Sequence, residues 1–406
     1  MKTAESAPDQ GLRPRPIGPS PFQRIFADRW LIGLLLAGLV LRLILAIGLH
    51  EHFRNATPPH LWPNTDEAAY FEYGLKTANA LQTGGWEAFF KAPPSTKYVN
   101  WMIYKYSGIV LYLSNGSPLA LRILSALFSM AAVLLFAVSL GRFLSEPLQI
   151  RFLVGVLSLL PSTAFWSALA IKEGILSFLT ALLCVIVVTL WAKPRPWPCL
   201  ACSGLICLIL GSFRIWSGVS FFVIILVALL LLHPGKPPRP ASCILMLLLL
   251  GSVWFVPNVQ TLIRQFVFLQ NPEPYPIFDP NFEFGERISL LENNTYPFPI
   301  KPVLAWLLPL PFLPTDSVLM KMAGIENLAI LFISMLAVCG VLKKLAPVET
   351  IWFGMAITSI VVATFLGVNL GTIYRNKSTA LPFLIYFSAL VLPMFLKKIG
   401  IVKQDT

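Results

Sequence analysis

WLIGLLLAGLVLRLILAIGL, residues Trp30–Leu49, decides the fold. It matches the roughly 20 apolar residues that carry a helix across ~30 Å of hydrocarbon, and a single charge, Arg42, interrupts it. No small-residue cleavage site follows, so the run reads as a retained anchor rather than a signal peptide. Comparable runs recur at Pro118–Leu140 and Ala380–Leu396. Across 406 residues the hydrophobic share is 56% and the charged share 12%, with mean hydropathy +0.73. A soluble globular chain carries about twice that share of charge. The composition therefore excludes a soluble enzyme, and the fold class expected is an all-α polytopic membrane protein.

Spans are expected near 30–50, 119–141, 152–170, 174–192, 198–213, 216–232, 241–257, 325–342, 350–368 and 379–396, about ten within a range of roughly nine to twelve. Basic residues test the parity, because they stay on the cytoplasmic side of short connections. Lys2, Arg13, Arg15, Arg24 and Arg29 precede the first span. Arg142 and Arg151, Lys193 and Arg195, Lys236 and Arg239, Lys343 and Lys344, then Lys397, Lys398 and Lys403 follow on alternate connections. Both termini are thereby placed in the cytoplasm. The net charge of +12 is a topology signal and does not call for nucleic acid. Residues 1–29, rich in proline and basic side chains, read as a disordered cytoplasmic leader. A transmembrane domain then runs over 30–396, and 397–406 is a cytoplasmic tail. WMIYKYSGIVLYLS (101–114) is too short to span, and VLAWLLPLPFLP (303–314) has too many prolines. Both read as interfacial or re-entrant segments on the outer face.

Two long loops, 51–118 and 258–324, are left on that outer face, where long loops tend to carry function. The first contains WPNTDEAAYFEYGLKTANALQTGG. Pro63-Asn64-Thr65 suits a helix entry, Asp66 and Glu67 fall in the first turn where the helix dipole favours anions, and Gly84-Gly85 supplies a stop. An amphipathic helix over about 66–82 is expected to lie along the membrane surface, with Asp66, Tyr70 and Tyr73 on one face. Taken alone, the acidic pair equally suits a helix terminus. Other charges lie at the outer ends of other spans: Lys172-Glu173 and Arg214 in very short connections, and Arg375 and Lys377 before the last span. Charges so near hydrocarbon mark a ligand path or an ion pair. A carboxylate facing several cations suits a phosphate-bearing substrate.

The six cysteines lie in or beside apolar runs and imply no disulfide framework. Cys199 and Cys202 have metal spacing without a second pair, and His50, His52, His60 and His233 form no ligand pattern. No metal site is expected, although carboxylates at Asp66 and Glu67 would suit magnesium or manganese. No glycine-rich nucleotide motif is present.

The chain resembles the GT-C class of membrane glycosyltransferases, which includes dolichyl-phosphate-mannose protein mannosyltransferases and the bacterial aminoarabinose and galacturonic acid transferases of lipid A. Asp66-Glu67 stands where the class places an acidic pair, in the first extracytoplasmic loop beside interfacial helices. SPLALRILSALFSMAAVLLFAVSL is similar to the Arg-containing second helix of such enzymes, and LLPSTAFWSALAIKEG to their proline-started third. TIYRNKSTALPFLIYFSALVL, with its Tyr374-Arg375 pair, is similar to their closing helix. Loop 258–324 matches no motif of the class and reads as a lid or acceptor loop.

The resemblance implies transfer of a sugar from a polyprenyl-phosphate donor to a lipid, glycan or protein acceptor at the outer face of a bacterial plasma membrane. It implies no resident cofactor, Asp66 as general base with Glu67 assisting, and inversion at the anomeric carbon. Arg375, Lys172 and Arg214 would neutralise the phosphate, with Glu173, Tyr70 and Tyr374 lining the substrate. Two rivals are an O-antigen polymerase or ligase type of glycan enzyme and a lipid or glycan transporter. The first would show a basic late loop, but the acids of 258–324 outnumber its bases. The second would show repeated halves with midplane charges.

Overall fold

The computed structural model describes residues 21–63, 65–92, 101–191, 196–231, 306–309, 311, 318–342, 345, 347–366 and 375–399. Among these residues all regular structure is helical, as the composition predicts. The helices are α1 (Pro21–Ala27), α2 (Arg29–His52), α3 (Asp66–Lys91), α4 (Trp101–Leu113), α5 (Pro118–Leu140), α6 (Pro147–Leu159), α7 (Pro161–Ala168), α8 (Glu173–Trp191), α9 (Pro196–Phe213), α10 (Ile215–Leu231), α11 (Val318–Val341), α12 (Pro347–Leu366) and α13 (Leu381–Lys398). The span expected at 241–257, most of loop 258–324 and of segment 303–314, Tyr374, residues 1–20 and the tail beyond 399 lie outside the described residues.

Four stretches are long and apolar enough to cross a membrane: Arg29–His52, Pro118–Phe143, Lys321–Val341 and Leu381–Lys398. The pair α6 and α7 makes a fifth if its halves form one span. The described helices thus stop short of the ten expected. The apolar parts of α8, α9, α10 and α12 are shorter than a full crossing, and the span drawn through 152–170 is broken by a bend of 46°.

Proline causes that break, and a buried arginine repairs it. Pro161 has no N–H to give the Leu157 carbonyl, and it forces Leu160 into extended backbone at φ −60, ψ 121. In hydrocarbon the freed carbonyls need partners inside the protein. Arg42, fully buried in α2, donates Nη2 to Leu157 O at 3.1 Å and Nη1 to Ser158 O at 2.5 Å. Its Nε reaches Ser129 Oγ at 3.2 Å and Ser167 Oγ at 3.0 Å. On the far side of the break Glu326 of α11 accepts from Ser162 N at 2.9 Å and Ser162 Oγ at 2.6 Å, where the α7 dipole favours an anion. Gly38 lets α2 approach this close, since a Cβ there would stand 2.7 Å from Ser158 Cβ. Interhelical hydrogen bonds in membranes average ~0.6 kcal/mol, so Arg42→Leu, which removes four of them, should destabilise the protein by about 2–3 kcal/mol. Thermal unfolding of the detergent-solubilised protein measures the loss, and an unchanged midpoint would deny Arg42 this role.

Three boundaries differ from expectation. Residues 21–27, expected to belong to the disordered leader, are helical instead: Pro21 suits a first helical position, and α1 buries Ile25 against the bundle, with the Phe22 and Phe26 ring centres 4.7 Å apart. Asp28 then caps α2, accepting from Trp30 N at 2.9 Å, and pairs with Arg151 of α6 at 2.8 Å. Gly84-Gly85 does not end α3: Gly85 at φ 65 turns the chain and the helix resumes to Lys91. The tail expected from residue 397 begins inside α13, which runs on through Lys398.

α3 rests on α4, α4 on α5 and α9, and α5 on α8. α4 reaches well along α5, since Tyr106 meets Phe128 in the third turn of α5 and Phe213 at the end of α9, with ring centres 6.3 and 6.2 Å apart.

Candidate functional site: a recessed charge cluster

Ser117 caps α5 through Ala120 N, and Pro118 opens the helix, so Arg122 sits one turn inside it. Arg122 grips Glu67 at both oxygens: Nε to Oε1 and Nη2 to Oε2, each 2.7 Å. The two side chains are entirely buried. Glu67 Oε1 also accepts from Ala170 N at 2.8 Å, and Oε2 from Trp62 N at 3.0 Å. One carboxylate thereby joins the entry to α3, the end of α7 and the head of α5. All of its bonding is internal, so Glu67 holds α3 in place and faces away from the neighbouring charges.

Asp66 points elsewhere, because adjacent helical residues diverge by about 100°. Its Oδ2 accepts from Arg375 Nη1 at 2.7 Å, and the carboxylate remains 44% exposed against 16% for the arginine. Arg375 Nε lies 3.0 Å from Glu173 Oε1, which also takes Arg214 Nη2 at 2.6 Å. The start of α8 carries Glu173 and is pressed against α5: a Cβ on Gly174 would collide with the Ser125 carbonyl. Lys172 precedes it, buried, with its ammonium in the field of Asp66, Glu173, Arg214 and Arg375. Among the described residues Lys172 makes no side-chain hydrogen bond or ion pair. Tyr70 is buried one turn along α3 from Asp66, with its ring 5.9 Å from that of Tyr104.

Five of the charges singled out in sequence, Asp66, Lys172, Glu173, Arg214 and Arg375, therefore meet, brought from four separate segments. Tyr70 lies beneath them, Glu67 turns away, and Tyr374 is outside the described residues. The cluster is recessed, since Glu173 and Lys172 sit at the level of Ser125, two turns into α5. A cleft touching Glu173, Trp166, Ser167, Ser378, Pro382 and Arg42 continues inward beside it.

The electrostatics follow from this crowding. Burial pushes the Asp66 carboxyl up, but Arg375 and Lys172, with Arg214, hold it below its ordinary value on balance. It is ionised at neutral pH. Burial pushes Lys172 down to about 7, and the Arg214 charge acts the same way against the opposing pull of Asp66 and Glu173. Arg375 is raised, because Glu173 and Asp66 outweigh its burial.

Among the described residues no group of three or more His, Cys, Asp or Glu is placed to hold a metal ion. Asp66 and Glu67 each face a different guanidinium, so this arrangement offers no shared cation seat and no step is assigned to magnesium or manganese.

Sequence reading missed the roles of Arg122 and Glu326. The available signal for Arg122 was a charge inside the apolar run 118–140, which calls for a partner of opposite sign. No protein-family model, curated protein or solved structure matches the chain.

Proposed function

We propose that this chain is a membrane glycosyltransferase of the GT-C kind, moving a sugar from a polyprenyl-phosphate donor to a lipid, glycan or protein acceptor. The observation that carries the reading is the meeting of a half-exposed carboxylate with three cations in a recess beside membrane-crossing helices. The setting proposed is a bacterial plasma membrane with the termini in the cytoplasm, about ten spans in all and the recess opening outward.

An acceptor hydroxyl or amine attacks the anomeric carbon. The new bond to that carbon forms as its bond to the phosphate oxygen breaks, the acceptor proton passes to Asp66, and polyprenyl phosphate leaves with the electron pair. Single displacement inverts the anomer. Arg375, Arg214 and Lys172 stabilise charge growing on the leaving oxygen, an electrostatic contribution that is largest in a dry, preorganised site. Donor binding would divert Arg375 from Asp66 toward phosphate and release the carboxylate for proton transfer. Glu173 holds the two arginines in position, and Glu67 holds the helix that presents Asp66.

The test is sugar transfer from polyprenyl-phosphate donors in membranes containing the wild type or Asp66→Asn at equal expression. Transfer that depends on Asp66 supports the reading, and an absence of transfer by the wild type across donor sugars rejects it.

Lys172 adds a pH signature. Its charge is present below about pH 7 and is lost above it, so donor affinity should fall as pH rises through that point, by up to about tenfold per unit. Arg375 and Asp66 keep their charges through this window, Arg375 being raised and Asp66 lowered. Lys172→Arg should flatten the profile of donor KM between pH 6 and 9, and a wild-type profile already flat would remove Lys172 from the phosphate site.

A further inference from the structure

We infer that Lys377 is a positioning residue: it fixes the turn that carries Arg375 by clamping that turn to Trp306–Leu308 and to α11. In the sequence Lys377 stands with the cations of the recess; in the fold its ammonium enters a cage of neutral oxygens. The residue is 1% exposed. It donates to Trp306 O at 2.7 Å, to Leu308 O, and to Asn327 Oδ1 at 2.9 Å, with the Trp306 ring centre 5.3 Å away. An ammonium has three protons to give, and three oxygens take them. Asn327, fully buried on α11, donates its Nδ2 to Leu307 O at 2.6 Å. Three successive carbonyls at the close of a helical stretch, which a helix itself leaves unpaired, are thus satisfied by one lysine and one asparagine. The cage is anchored in turn. Trp306 Nε1 donates to Ser334 Oγ at 2.9 Å, and Glu326, beside Asn327, is bound to the start of α7.

The turn between Arg375 and Lys377 is stiff. Ser378 donates to Arg375 O twice, from N at 3.2 Å and from Oγ at 2.7 Å, and Ala380 N donates to Lys377 O at 2.9 Å just before α13 begins. A shift at Lys377 is therefore passed to Arg375, two residues away. Arg375 is also held by Asp66 and Glu173. In the function proposed above, on which this step rests, Arg375 leaves Asp66 for phosphate, so the arginine needs an anchor that does not depend on Asp66. Lys377 supplies it. α13 has its own fastening to α11, since Ser388 Oγ donates to Ile333 O at 2.5 Å, so loss of the cage should free the turn and not the helix.

The experiment uses the full chain in lipid nanodiscs, as wild type, Lys377→Met and the milder Asn327→Leu. Without any ligand, amide hydrogen exchange across 375–380 should rise at least about tenfold in Lys377→Met and less in Asn327→Leu, while α13 beyond Leu384 stays protected. With a polyprenyl-phosphate sugar, Lys377→Met should raise donor KM about tenfold at a kcat within a few-fold of wild type. In an Arg375→Gln background the same change should add little, because the lysine acts through that arginine. Should Lys377→Met not fold, Asn327→Leu carries both readouts. Unchanged exchange across 375–380 overturns the inference. So does a double variant whose fold-loss equals the product of the two single losses, which would make Lys377 an independent contributor. A wild type that transfers no sugar rejects the proposed function, and the exchange result then still decides whether Lys377 holds the turn.

Discussion

Asp66→Asn is expected to leave a folded protein that binds donor normally and transfers sugar about 10² to 10⁴ times more slowly, the usual contribution of a positioned general base. The amide keeps the shape of the side chain and can still accept a hydrogen bond from Arg375, so the recess should hold. What it loses is the capacity to take a proton. The effect belongs in the maximal rate and not in donor KM, because the carboxylate contacts the acceptor proton and the phosphate meets the cations. Kinetics at saturating donor check this. A rate within a few-fold of wild type would remove Asp66 from proton transfer.

Loss of either member of the Glu67–Arg122 pair should have the largest effect on stability. Both side chains are entirely buried, and Glu67 is gripped bidentately while also binding two backbone N–H groups. Removing one partner of such a pair leaves a naked charge, at about 3–5 kcal/mol. Glu67→Gln and Arg122→Met should each lower the unfolding midpoint of the solubilised protein strongly. The double variant should recover much of the loss, because it buries no unpaired charge. Equal losses in all three variants would mean that shape and not charge pairing matters there. Activity should fall along with the folded fraction, which separates this pair from Asp66, whose loss affects rate alone.

How much of this was legible in the sequence depended on distance along the chain. Lys172, Glu173 and Arg214 could be placed near membrane depth because their connections are too short to leave it. That Arg375 meets Asp66, 309 positions away, could be suspected only from both charges lying at helix ends on one face; the contact itself is tertiary. Asp66 and Glu67 looked interchangeable because they share a first turn. Their roles diverge because one step along a helix swings a side chain through a quarter turn or more, and only the packing of α5 and α7 says which carboxylate is enclosed. Pro161 was visible, yet hydropathy drew a straight span through it. Hydropathy records that the segment is apolar and not that Arg42 and Glu326 have sealed a bend within it. Gly85 likewise looked like a stop, since its neighbours do not reveal that Lys105 of α4 donates to the Phe89 and Ala92 carbonyls beyond it.

The central claim is that the cations gathered around Asp66 seat the phosphate of a lipid-linked sugar. Binding of a labelled polyprenyl-phosphate sugar to the chain in lipid nanodiscs tests it directly, with the uncharged polyprenol as competitor and Arg375→Gln as the variant. The account predicts saturable binding that the polyprenol fails to displace and that weakens at least about tenfold in Arg375→Gln, as loss of one charge-assisted contact worth roughly 1.4 kcal/mol or more would give. Displacement by the polyprenol together with unchanged affinity in Arg375→Gln would contradict it.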